Sequence, residues 1–93
     1  QDHIPIQIVD ERNRIRMIGA GITLEKEKQF GKFVSLIPYT NVVKGLTLTG
    51  FKYPLDHYDF KGFCSLGVSN EIIAESAEIA FEEGILIVIE ARD

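Results

Sequence analysis

Apolar residues recur at every second position through most of this chain, a period that a half-buried strand satisfies and a helix does not. Ile4, Ile6 and Ile8 alternate with Pro5, Gln7 and Val9. Asp10-Glu11-Arg12-Asn13 then supplies turn residues before Ile15 and Met17 alternate with Arg14, Arg16 and Ile18, so this segment predicts a hairpin. After Gly19-Ala20-Gly21 comes a short Ile22-Thr23-Leu24 strand, and the charged stretch from Glu25 to Gln29 reads as a solvated turn. Phe33 to Ile37 is apolar on both faces, which suits an interior strand. Leu46 and Leu48, then Phe51, Tyr53 and Leu55, then Ala77, Ile79 and Phe81, each alternate with more polar neighbours. Glu83-Gly84 turns the chain into Ile85 to Ile89, its most apolar stretch. About seven to nine short strands spaced in this way predict an all-β fold, an antiparallel β-sandwich of jelly-roll type, with Phe33, Leu36, Leu48, Ile79, Ile87 and Ile89 in its core.

The segment from Glu71 to Ala77 leaves two readings open. Its Ala and Glu content favours a helix, whereas the surrounding period favours a strand. At 93 residues the chain has room for one domain. It is 45% hydrophobic and 26% charged, an ordinary balance for a folded domain rather than a disordered one. No apolar run approaches the roughly 20 residues of a membrane helix, so no membrane partner is expected. The net charge is -4 with basic residues scattered along the chain, and nucleic acid, which needs clustered Lys and Arg, is not an expected partner. The single cysteine, Cys64, cannot form an internal disulfide, which suits a reducing compartment.

No self-contained catalytic or metal site emerges from the motifs. Gly19-Ala20-Gly21 lacks the third glycine of a dinucleotide loop, because Leu24 stands in its place, and reads as a turn. Asp56, His57 and Asp59 read as a polar loop rather than metal ligands, Cys64 between Phe63 and Leu66 as a small apolar residue, and His3 as part of a frayed end. Two segments do carry a rim pattern, with polar or aromatic groups beside glycine where a strand gives way to a loop. They are Gly50-Phe51-Lys52-Tyr53-Pro54-Leu55-Asp56 and Leu66-Gly67-Val68-Ser69-Asn70-Glu71.

The order of these two segments, with Val34-Ser35-Leu36-Ile37-Pro38 before them and Gly84-Ile85-Leu86-Ile87-Val88-Ile89 after, resembles the C-terminal, vitamin B1-binding domain of the thiamine pyrophosphokinases, also called thiamine diphosphokinases. The resemblance extends from about Ile4 to the end of the chain. It favours the strand reading of residues 71–77, with Ala74-Glu75-Ser76 as a bulge or turn. It implies a thiamine site at Tyr53, Gly67, Ser69 and Asn70: an aromatic platform, an amide able to donate and accept, a hydroxyl, and a glycine whose backbone comes close. Animal-type members carry Trp where this chain has Tyr53 and Ser where it has Gly67, so stacking carries over while only a backbone role does at Gly67. Bacterial-type members often have Leu at Phe51 and Asn at His57, and both residues are left out of the site. Read without the family, Tyr53 is an ordinary half-buried strand residue and Ser69-Asn70 a side-chain-to-backbone turn.

The resemblance also implies transfer of pyrophosphate from ATP to thiamine in the cytoplasm of a bacterial-type organism. Mg²⁺ and ATP would be held mainly by an N-terminal α/β domain, within a homodimer. This chain, which opens on Gln1 and enters a strand almost at once, would be a C-terminal fragment of such an enzyme, inactive alone and with no catalytic residue or cofactor of its own. The competing class is a stand-alone β-sandwich that binds a small ligand or carbohydrate without catalysis.

Overall fold

The structure is a computed structural model and describes residues 7–28, 30–61 and 70–92. Its nine described strands are β1 (Gln7–Val9), β2 (Asn13–Ile18), β3 (Ile22–Glu25), β4 (Phe33–Pro38), β5 (Val42–Thr49), β6 (Leu55–Lys61), β7 (Asn70–Glu71), β8 (Ser76–Ala80) and β9 (Leu86–Ala91). They form two antiparallel sheets, one of order β1-β2-β9-β4-β7 and one of order β3-β8-β5-β6. The chain is therefore an all-β, antiparallel sandwich.

Local chemistry accounts for most of the connections. The Asp10 carboxylate accepts the backbone N–H groups of Arg12 and Asn13, each at 2.8 Å, and closes the β1–β2 hairpin as an Asx turn. Gly19-Ala20-Gly21 carries the chain from one sheet to the other, and Lys26–Lys28 forms an exposed 3-10 turn.

Alternation places Ile18, Val34, Leu36, Leu86 and Val88 of the first sheet against Leu24, Val43, Leu46, Leu48, Phe60, Ala77 and Ile79 of the second. Val43 and Leu46 are both buried although they lie three residues apart, which a regular strand forbids. An extra residue at Gly45, with φ of 68°, makes this possible by bulging β5. A complementary bulge on β6 falls at His57, whose φ of 51° is left-handed and whose N–H donates to Thr47 Oγ1 at 3.1 Å.

The structure corrects several expectations. Leu36, Leu48 and Ile79 are core residues, but Phe33, Ile87 and Ile89 are only half-buried and face outward, while Leu86 and Val88 point in. The stretch from Ile85 to Ile89 has no polar residue to mark its outer face, so period two alone cannot choose between its two registers. The strand expected from Phe51 begins instead at Leu55, after an irregular segment. No helix forms between Glu71 and Ala77: Ile72 bridges to Phe51, Ala74 and Glu75 bend, and Ser76 opens β8.

Glu90 also points inward and is fully buried. Its Oε2 accepts from Nε and Nη2 of Arg14, at 3.0 and 2.8 Å, and from Nη2 of Arg16 at 2.7 Å. Cross-strand register explains the cluster, since Arg14 stands opposite Glu90 and Arg16 opposite Val88 on the inner face. The guanidiniums of Arg14 and Arg92 lie 5.7 and 3.9 Å from the ring centroid of Phe30, a cation–π arrangement beside the buried carboxylate.

Candidate functional site at the Tyr53 rim

Gly50 ends β5 with φ of 79° and turns the chain out of its sheet. A Cβ at this position would overlap the Ser76 carbonyl oxygen and lie 2.9 Å from Ala77 Cα, so the close approach to β8 requires glycine. The Gly50 carbonyl accepts from Ile73 and Ala74 N–H, at 2.9 and 3.3 Å. Phe51 pairs with Ile72, and Lys52 N–H donates to the Glu71 carbonyl at 2.8 Å. The segment after Gly50 thus runs antiparallel to the segment that opens with β7.

One step further along this register stand Tyr53 and Asn70. The main chain of Asn70 is paired with Val34 of β4 on its other side, and its side-chain amide meets Tyr53 instead. Tyr53 N–H donates to Asn70 Oδ1 at 2.8 Å, and Asn70 Nδ2 donates to the Tyr53 carbonyl at 2.8 Å. Oδ1 also accepts Glu71 N–H at 3.0 Å. Asn70 is 6% exposed, so this satisfaction is required of it. One Nδ2 hydrogen has no partner among the described residues.

Tyr53 as a residue is 48% exposed and stands at the rim rather than in the core. Lys52 Nζ lies 5.5 Å from its ring centroid, so the ring already accommodates a cation. The structure brings together Tyr53 and Asn70 of the four residues singled out in the sequence. Gly67 and Ser69 lie outside the described residues, as do Cys64 and His3.

The other candidates have local partners. Asp59 Oδ1 accepts Gly45 N–H at 3.1 Å and holds the β5 bulge, while Asp56 Oδ1 lies 2.6 Å from His57 Nδ1 on an exposed surface. Among the described residues no three His, Cys, Asp or Glu side chains converge to hold a metal ion, and no helix is long and apolar enough to cross a membrane. An open cleft of about 690 Å³ is lined by residues that include Glu25, Glu27, Ile73 and Glu75, and Tyr53 and Asn70 take no part in it.

Sequence reasoning missed two features. One is the peptide-like role of Asn70; the register sum that pairs Phe51 with Ile72 and Tyr53 with Asn70 would have pointed to it, had the turn been placed. The other is the Arg14–Arg16–Glu90 cluster, signalled only by two arginines at alternate positions of β2 and one carboxylate in the otherwise apolar β9.

The fold defines the class, a two-layer antiparallel β-sandwich, with Tyr53 exposed at one rim. Residues 21–86, a span that includes Tyr53, Gly67, Ser69 and Asn70, match the family described as thiamin pyrophosphokinase, vitamin B1 binding domain, and the chain belongs to that family. It is 37% identical over 92 residues to the thiamine pyrophosphokinase of Bacillus subtilis (strain 168), covering 98% of this chain and 42% of that protein. The crystal structure of thiamine pyrophosphokinase from Bacillus subtilis superposes with a TM-score of 0.86 at 35% identity, over 94% of this chain and 41% of that one. That of thiamin pyrophosphokinase from Geobacillus thermodenitrificans gives 0.81 at 37%, over 97% and 42%. The chain therefore spans less than half the length of these relatives.

Proposed function

We propose that this chain is the thiamine-binding and dimerisation part of a thiamine diphosphokinase, with Tyr53, Gly67, Ser69 and Asn70 making up its thiamine site. The carrying observation is half-exposed Tyr53, whose main chain is bonded to Asn70 and whose ring has a cation, Lys52 Nζ, 5.5 Å from its centroid. Thiamine carries two flat heteroaromatic rings joined by a methylene group, an aminopyrimidine and a cationic thiazolium, and a π face is what such a ring stacks on. A family defined by vitamin B1 binding supports this reading over a stand-alone carbohydrate-binding sandwich.

The reaction is a displacement at phosphorus. The hydroxyethyl oxygen of thiamine attacks the β-phosphorus of ATP and loses its proton. The bond from that phosphorus to the α,β-bridging oxygen breaks, giving thiamine diphosphate and AMP. The contribution of this chain is to hold the acceptor in line. Its described residues offer no carboxylate cluster for Mg²⁺, so no step is assigned to them beyond positioning. ATP and Mg²⁺ belong, in this proposal, to an N-terminal α/β domain in the portion of the relatives that this chain does not span.

A homodimer in the cytoplasm completes the proposal. The outer face of the five-stranded sheet supports it, since Ile8, Ile15, Met17, Ile37, Ile87 and Ile89 stand there in paired rows without a covering layer among the described residues. AMP release by the full-length enzyme, followed with ATP and Mg²⁺ and with or without thiamine, tests the function. Thiamine-dependent AMP is expected, and AMP release indifferent to thiamine would overturn it.

A further inference from the structure

The peptide of Tyr53 is held in an unusual way for a strand neighbour. Pro54 follows it and has no N–H to offer a ladder, and the main chain of Asn70, the residue opposite, is already engaged with Val34. The Asn70 side-chain amide fills the gap: its C=O and N–H reproduce the acceptor and donor of a backbone peptide, each bond at 2.8 Å. No other described group pairs with Tyr53 N–H or C=O. Tyr53 as a whole, by contrast, is half-exposed, and Lys52 Nζ lies 5.5 Å from its ring centroid.

We infer that Asn70 is a positioning residue, whose side chain replaces a strand backbone opposite Tyr53 and sets the orientation of the ring, so that Asn70 acts on the ligand through Tyr53. The inference rests on the thiamine reading of that ring. Among the described residues, Asn70 Oδ1 is saturated by two backbone N–H groups and one Nδ2 hydrogen is used, which leaves its side chain a single donor and no acceptor for a ligand. Its main effect on thiamine use is therefore the loss of an ordered platform when the clamp is removed.

A double-mutant cycle in the full-length enzyme tests this, with Asn70→Ala, Tyr53→Ala and the double variant. Positioning predicts a roughly tenfold rise in KM for thiamine in Asn70→Ala with KM for ATP unchanged. It also predicts that the double variant is no worse than Tyr53→Ala alone, because the residue through which Asn70 acts is gone. Losses that multiply in the double variant would overturn the inference and give Asn70 its own ligand contact. A second readout needs no ligand. This chain contains no Trp, so Tyr53→Trp places one indole at the rim, whose nanosecond anisotropy reports its order. Adding Asn70→Ala should loosen that indole, while adding the core change Ile79→Val should leave it ordered. Equal order in the two, or equal loosening, would overturn positioning. If Tyr53→Ala leaves thiamine use unchanged, the thiamine reading of the Tyr53 ring fails, and the anisotropy comparison still decides the role of Asn70.

Discussion

Asn70 and Tyr53 are joined as two strand residues would be, except that one of the two peptides is a side chain. The arrangement ties the rim after β5 to the far sheet through β7 and β4, and leaves an aromatic ring facing solvent at the end of the tie. Gly50 starts the same segment and is the first point at which the account can be tested.

Gly50→Ala is expected to destabilise the domain more than Gly45→Ala. Both positions have positive φ, which costs a non-glycine residue about 1–2 kcal/mol. A Cβ at Gly45 meets the exposed Glu82 side chain, which can move, whereas at Gly50 it meets the backbone of Ser76 and Ala77. Denaturant midpoints for the two variants check this ordering, and equal midpoints would contradict the tight approach at Gly50.

Glu90→Ala should cost about 2–4 kcal/mol, less than a fully buried ion pair because both arginines are about one-quarter exposed. Arg16→Ala should cost clearly less, since Glu90 keeps both bonds from Arg14. Chemical denaturation of the pair tests the asymmetry; an Arg16→Ala loss as large as that of Glu90→Ala would show that the carboxylate is not the centre of the cluster.

The backbone N–H groups of Arg12, then of Asn13, hold the Asp10 carboxyl below its ordinary pKa. A lowered folded-state value stabilises the charged form, so the hairpin contribution is present above the ordinary aspartate value of ~3.9 and is lost as pH falls through the lowered one. Asp10→Asn preserves the Asx turn but cannot titrate. Its unfolding midpoint should fall less steeply with acid than that of the parent chain below about pH 4, and identical acid limbs would contradict the assignment.

Ile37→Lys places a charge on the outer face of the five-stranded sheet, where Ile37 is 41% exposed and its loss leaves the core intact. Sedimentation should show weaker self-association with an unchanged circular dichroism spectrum. Undiminished association would move the proposed dimer contact elsewhere.

The sheet architecture was legible because alternation at Ile15 and Met17, at Leu46 and Leu48, and at Ala77 and Ile79 survives in the sequence as alternation of polarity. The core was less so. Leu86 to Ile89 is apolar on both faces, the outer one being an apolar sheet surface, and only the pairing with β2 and β4 shows which side is inside. Tyr53 and Asn70 were legible as rim residues, yet the sequence could not show that the amide of Asn70 is spent mostly on the backbone of Tyr53. That bond joins residues 17 apart in the chain, and only the tertiary pairing shows which two meet.

The central claim is that thiamine is received on the Tyr53 ring. Calorimetric titration of the full-length enzyme with thiamine, comparing the parent with Tyr53→Ala and Tyr53→Trp, tests it most directly. The account predicts affinity lowered by roughly 1–3 kcal/mol in Tyr53→Ala, the range for losing an aromatic contact together with its burial, and a smaller loss in Tyr53→Trp, which keeps a π face. Parent-like thiamine affinity in Tyr53→Ala would contradict it.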